Sequence, residues 1–171
     1  MRPRPAFLIA LAAVFAVAFS TVSGASAEPE ASNIEQAKGA YITPDGYVHP
    51  LAEHKGETLL LVYWAKWCGP CLNEIPTLNA MHDKYAKRGL KILALNIDES
   101  TPRAVRSEAY RHRMKYPVGL AGQALLAEMA IHSIPRTFLF AKDGTLLHDY
   151  TGAPREDMLA EDVENALKGR P

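Results

Sequence analysis

Two stretches of the chain, Thr58 to Tyr63 and Lys91 to Ile97, are mostly apolar and six and seven residues long. Apolar side chains on both faces of a short segment predict strands in the middle of a sheet. Between them, Leu72, Ile75, Leu78, Met81 and Tyr85 recur at three- and four-residue steps. That spacing predicts an amphipathic helix from Cys71 to about Arg88, kinked at Pro76 and stopped at Gly89. Strand, helix and strand joined by short links predict a parallel pair with a crossover between them.

The rest of the pattern is shorter in period. Tyr41 to Val48 predicts a hairpin that turns at Pro44-Asp45-Gly46. Ser100 or Thr101 is placed to cap a helix with Pro102 in its first turn, running to about Lys115. A short strand Tyr116 to Leu120 and a helix Gln123 to Ala130 follow. Thr137 to Ala141 and Thr145 to Tyr150, joined at Asp143-Gly144, predict a second hairpin, and Pro154 opens a last helix ending near Lys168. The order predicts an α/β domain with a mixed central sheet flanked by helices.

The first residues follow a different logic. Arg2 and Arg4 precede an apolar run from Ala6 to Phe19, and small residues then end in Ala25-Ser26-Ala27. This order predicts a secretory signal over 1–27, cleaved after Ala27. An uncleaved anchor is the alternative, but fourteen helical residues reach about 21 Å against a hydrocarbon core of roughly 30 Å. Either way the remainder is expected outside the cytoplasm, periplasmic in a cell with two membranes, where thiols tend to be oxidised. Residues 28–38 mix Glu, Ser, Asn and Gln without periodicity and predict a linker ahead of a domain over 39–171.

Composition narrows the chemistry. With 19 basic and 19 acidic residues in 171, the chain carries no net charge, which argues against nucleic acid or a polybasic membrane contact. Its two cysteines, Cys68 and Cys71, are too few for a disulfide scaffold. Three positions apart at a helix start, they can close a small disulfide ring or supply half a metal site. A first helical turn has unpaired N–H groups and partial positive charge, so it favours a thiolate. Lowering a thiol pKa from about 8.5 to about 7 raises the thiolate fraction at neutrality from roughly 3% to about half. No further cysteine or paired histidine completes a zinc site. Glu74, three residues past Cys71, lies on the same helical face as that thiol, either as a proton acceptor or as a first-turn acid complementing the dipole.

The run Trp64-Ala65-Lys66-Trp67-Cys68-Gly69-Pro70-Cys71, Pro76 in the following helix, and Ser133-Ile134-Pro135-Arg136-Thr137 before a hairpin resemble the thioredoxin superfamily. The resemblance spans Tyr41 to Lys168. Within it, the leader, the early hairpin, and the extra helix and strand between Pro102 and Leu120 resemble the TlpA/ResA branch of exported thiol–disulfide reductases. Glu74 matches the acid that branch carries, whereas Val62 stands where cytosolic thioredoxins carry a buried Asp.

The resemblance implies a thioredoxin fold with an N-terminal hairpin and a helix–strand insertion. It implies Cys68 as an exposed nucleophile and Cys71 as a more buried resolving thiol. Glu74 would then accept the proton of Cys71. Pro135 would follow a cis bond opposite Cys68 and present the Ile134 backbone to an extended substrate, while Trp67, Gly69 and Pro70 would form the surrounding surface. No cofactor and no metal are expected. The implied partners are disulfide-bearing client proteins, such as apocytochrome c in cytochrome c maturation or copper-site proteins, and a membrane thiol electron donor. The membrane itself is a partner only if the leader stays as an anchor. A disulfide oxidase or isomerase, or a copper-delivery protein using the same thiols, are the competing readings.

Overall fold

Seven strands form one sheet in the computed structural model, which describes residues 32–98 and 101–170. In chain order they are β1 (Ala40–Ile42), β2 (Val48–Pro50), β3 (Thr58–Trp64), β4 (Leu90–Asn96), β5 (Val118–Ala121), β6 (Arg136–Phe140) and β7 (Leu146–Thr151). The spatial order is β2-β1-β5-β4-β3-β6-β7. The central pair β3 and β4 is parallel, as is β4 with β5, while β1, β6 and β7 pair antiparallel with their neighbours. Every residue of β3 is buried, as its unbroken apolar run requires of a strand flanked on both sides. The sheet is mixed, as the sequence predicts.

Among the described residues four α-helices cover it: α1 (Gly69–Tyr85), α2 (Pro102–Arg111), α3 (Gln123–Glu128) and α4 (Glu156–Leu167). Alternate side chains of β3 point to opposite faces. Leu60, Val62 and Trp64 join the core beneath α1, α2 and α4. Leu59, Leu61 and Tyr63 join a second core with Leu125 of α3 and Phe138 and Phe140 of β6.

Three boundaries differ from expectation. The α1 helix starts earlier, at Gly69 with Cys68 as its N-cap, and it continues through the exposed Pro76. The α2 helix stops at Arg111 instead of Lys115, because Arg113 takes a left-handed backbone conformation (φ 56°) and the Met114 N–H turns back to the Ala109 carbonyl. The third concerns 28–38. Its described part, 32–38, packs instead of hanging loose: Ile34 is buried, Asn33 bridges Thr145, and the Leu146 N–H donates to the Ser32 carbonyl. One apolar side chain and a few backbone bonds hold that arm, and neither produces a periodic signal. The signal-sequence expectation over 1–27 lies outside the described residues, as does Ser100; Thr101 is the residue that caps α2, accepting the Ala104 N–H.

Candidate active site

The carboxyl end of β3 delivers the two cysteines. After Trp64, the Cys68 N–H donates to the Ala65 carbonyl and the Lys66 N–H donates to Asp98 Oδ2 at 3.1 Å, so the loop is tied down before the helix begins. Cys68 then caps α1, its Sγ accepting the Cys71 N–H at 3.2 Å. The two cysteines form a disulfide with their Cα atoms 5.3 Å apart. The Cys71 N–H of the first turn therefore points at sulfur, an arrangement that favours negative charge there.

One expectation is corrected. Cys68 is not exposed in this oxidised form: it is 4% accessible, against 2% for Cys71. In the closed ring Cys68 Sγ sits at the N-terminus of α1, where it accepts the Cys71 N–H. The exposed residues around the pair are Lys66, Trp67, which is 67% accessible, Gly69 and Pro70. Trp64, by contrast, is core.

The second motif arrives at the same end of the sheet. In the antiparallel register of β3 and β6, Arg136 lies opposite Tyr63, so the residues just before Arg136 sit beside the loop that carries Cys68. The Ile134–Pro135 bond is cis. The Pro135 carbonyl accepts the Gly152 N–H at 2.8 Å, whereas the Ile134 N–H and carbonyl have no hydrogen-bond partner among the described residues. Ile134 is half-buried and packs against the cluster that contains both cysteines. Arg136 is held away from this loop by a bidentate pair with Asp149, Nε to Oδ1 at 2.5 Å and the second nitrogen to Oδ2 at 2.6 Å.

Glu74 is the one buried carboxylate among the described residues. Burial alone pushes its pKa from 4.5 up to about 7, and its Oε1 is sealed from solvent with no hydrogen-bond partner. The first-turn reading of Glu74 fits this poorly, since a dipole-complementing acid is stabilised in its ionised form and shifts downward. Glu74 lines an open groove of ≈ 380 Å³ with Pro70, Asn73, Thr77, Ala153 and Pro154. Val62 beneath the helix is buried and apolar, so no acid rises from β3.

Sequence reasoning missed four contributing residues. Asp98 fixes the Cys68 loop, Ala153 and Pro154 form the far wall of the groove, and Tyr116 is buried over α1. Each comes from a loop far along the chain, and no spacing rule links it to the cysteines. Among the described residues no group of three or more His, Cys, Asp or Glu side chains converges as a metal site would require. The arrangement is suited to disulfide exchange: an N-cap sulfur, a second sulfur one turn on, and a carboxyl with an affinity for protons near neutrality.

Comparison with known proteins agrees with that chemistry. The family model described as Redoxin matches residues 23–167. The chain is 31% identical over 147 residues to the thiol-disulfide oxidoreductase ResA of Bacillus thuringiensis (strain Al Hakam), covering 84% of each. It is 32% identical over 124 residues to ResA of Geobacillus kaustophilus (strain HTA426), covering 72% of this chain and 68% of that one. Among solved structures it is similar to a thiol:disulfide interchange protein DsbE from Chlorobium tepidum, with TM-score 0.68, 27% identity and coverage of 77% and 94%.

Proposed function

The chain belongs to the Redoxin family of the thioredoxin superfamily and is a thiol–disulfide oxidoreductase, and from that premise we propose that it is exported and reduces disulfides in client proteins. The observation that carries the reading is the Cys68–Cys71 pair closed at the first turn of α1, one turn ahead of the buried Glu74 carboxyl.

The reaction starts from the dithiol. The Cys68 thiolate attacks one sulfur of a client disulfide, forming a Cys68–client disulfide and releasing the other client sulfur as a thiolate. Cys71 gives its proton to the Glu74 carboxylate and attacks Cys68 Sγ. The Cys68–Cys71 bond forms, the mixed disulfide breaks, and the second client sulfur leaves and takes up a proton. Two electrons have moved from the dithiol to the client. A carboxyl with a pKa near 7 suits this step, since it is partly ionised at neutral pH and still basic enough to accept a proton from a thiol. The unpaired Ile134 backbone, beside the cis Pro135, supplies the groups that an extended client segment would pair with. Trp67, Gly69 and Pro70 form the surface it meets.

Export rests on the order of charge, apolar run and small residues over 1–27. In an oxidising compartment the spent disulfide must be reduced again, and a membrane thiol donor is the partner this requires. The test is trapping. Cys71→Ala, presented with a disulfide-bearing protein, accumulates a covalent complex through Cys68, and Cys68→Ala accumulates none. Equilibration of the wild-type protein with glutathione buffers then gives the direction: a potential near those of reducing thioredoxins supports reduction. No trapped complex removes the mechanism, and a potential near those of strong oxidants reverses it.

A further inference from the structure

The inserted helix α2 buries one face and turns a charged one outward. Val105 and Ala109 are buried, Val105 within the core that holds the cysteines. Arg103, Arg106, Ser107 and Tyr110 stand at i, i+3, i+4 and i+7, so they form one stripe. All four are exposed, and Tyr110, at 88%, is the most exposed large apolar side chain among the described residues. From 101 to 115 the chain carries five basic residues, Arg103, Arg106, Arg111, Arg113 and Lys115, against the single acid Glu108. All five are exposed. A chain with no net charge thus concentrates positive charge on this one segment.

Neither helix stability nor internal pairing accounts for the stripe. Arg103 sits in the first turn of α2, which holds no acid, although the helix dipole disfavours a cation there. The last helix, α4, obeys the dipole, with Glu156 and Asp157 in its first turn. Arg111 and His112 pair with Glu108 at 3.8 and 3.7 Å, and Lys115 pairs with Asp83. Asp45 in the β1–β2 turn feels the charge of Arg106, yet Arg103 and Arg106 form no ion pair among the described residues. A face that only supports and solubilises a helix pairs Glu with Lys. Arginine beside an exposed tyrosine is the composition of interface anchors. Position links the stripe to the cysteines. Asp98 holds the Lys66 N–H of the Cys68 loop at 3.1 Å, and Thr101 caps α2 three residues later. Five residues span at most about 18 Å, so Arg103 lies within that reach of Asp98.

We propose that the Arg103, Arg106 and Tyr110 stripe of α2 docks an acidic segment of the client protein close to its disulfide. The inference rests on the client-reducing role set out above and names the chemistry of the client's docking segment. Carboxylates pair with the two guanidinium groups, and the Tyr110 ring supplies an apolar contact beside them. A membrane surface fits less well, because a helix lying on lipid inserts its apolar face, and that of α2 is already packed on the core.

The test uses the oxidised full chain and a fluorescent, cysteine-free peptide of alternating Glu and Ser, with a Lys and Ser peptide as control. Anisotropy at low salt should show binding of the acidic peptide alone. Arg103→Glu combined with Arg106→Glu should weaken it at least tenfold, an effect that shrinks as salt is added. That variant keeps its fold, since an acid in the first turn suits the dipole. Tyr110→Ser should weaken binding about fivefold at low and high salt alike. Lys142→Glu combined with Arg170→Glu makes the same change in net charge beside the β6–β7 turn, away from the cysteine end of the sheet, and should leave binding unchanged. Binding that survives the Arg103 and Arg106 reversal, or falls equally with the Lys142 and Arg170 pair, overturns the proposal; so does wild-type binding by Tyr110→Ser. Capture by phosphatidylglycerol vesicles without acidic-peptide binding assigns the face to a membrane and overturns it too. The reductase reading is tested apart, on the dithiol form: if it fails to reduce the same acidic peptide built around a disulfide, that reading fails whatever the anisotropy shows.

Discussion

A buried carboxylic acid that keeps its proton to about pH 7 must make the protein less stable as pH rises, and the size of that loss follows from the structure. Glu74 is 8% exposed and its pKa is pushed from 4.5 to about 7 by burial. Below pH 4.5 the group is protonated in both the folded and unfolded chain and contributes nothing. Between 4.5 and about 7 the unfolded chain releases the proton while the folded chain holds it. The folded state then binds more protons, so stability falls with rising pH. Above about 7 both are ionised and the loss is complete. At 1.36 kcal/mol per pH unit the displacement corresponds to roughly 3 kcal/mol. Glu74→Gln has nearly the same volume and no charge to desolvate. The variant should match the wild type at pH 4 and exceed it by roughly 3 kcal/mol at pH 8.5. With a urea m-value of about 2 kcal/mol/M, the gap in unfolding midpoints opens to about 1.5 M. The assay is urea unfolding of both proteins with the disulfide intact at several pH values. Histidines and surface acids titrate alike in both and cancel. A gap that stays constant from pH 4 to 8.5 would refute the reasoning, because it would mean that Glu74 is ionised or solvated throughout.

Three further outcomes are expected. Arg136→Ala strands the Asp149 carboxylate that it holds bidentately between β6 and β7, and should cost about 2 kcal/mol in the same unfolding assay. Gly122→Ala should destabilise by about 1–3 kcal/mol, since a Cβ there would lie 2.5 Å from the Ala40 carbonyl oxygen, a backbone atom that cannot swing away. Trp67→Ala, at a side chain 67% exposed, should leave stability within about 0.5 kcal/mol, yet it should slow reduction of a protein disulfide more than that of a small-molecule disulfide.

The sequence by itself determined the elements and the reactive pair. The unbroken apolar run of β3, the three- and four-residue rhythm of α1 and the two-cysteine spacing are local facts. Steric and solvation rules act on them over a few residues, so they are readable without a fold. The tertiary structure alone decided which distant groups meet. It brought the Ile134–Pro135 loop to the same end of the sheet as the loop that carries Cys68, through the register of β3 against β6, and it tied the segment around Tyr116 to α1 through Asn79. It buried Cys68 in the disulfide form and seated Ile34, a residue in an aperiodic stretch, in the core. The same burial moved Glu74 from an ordinary acid to one that titrates near neutrality. A side chain's identity fixes its chemistry in water, but its proton affinity depends on what the fold packs around it, and that packing comes from segments whose distance along the chain carries no signal.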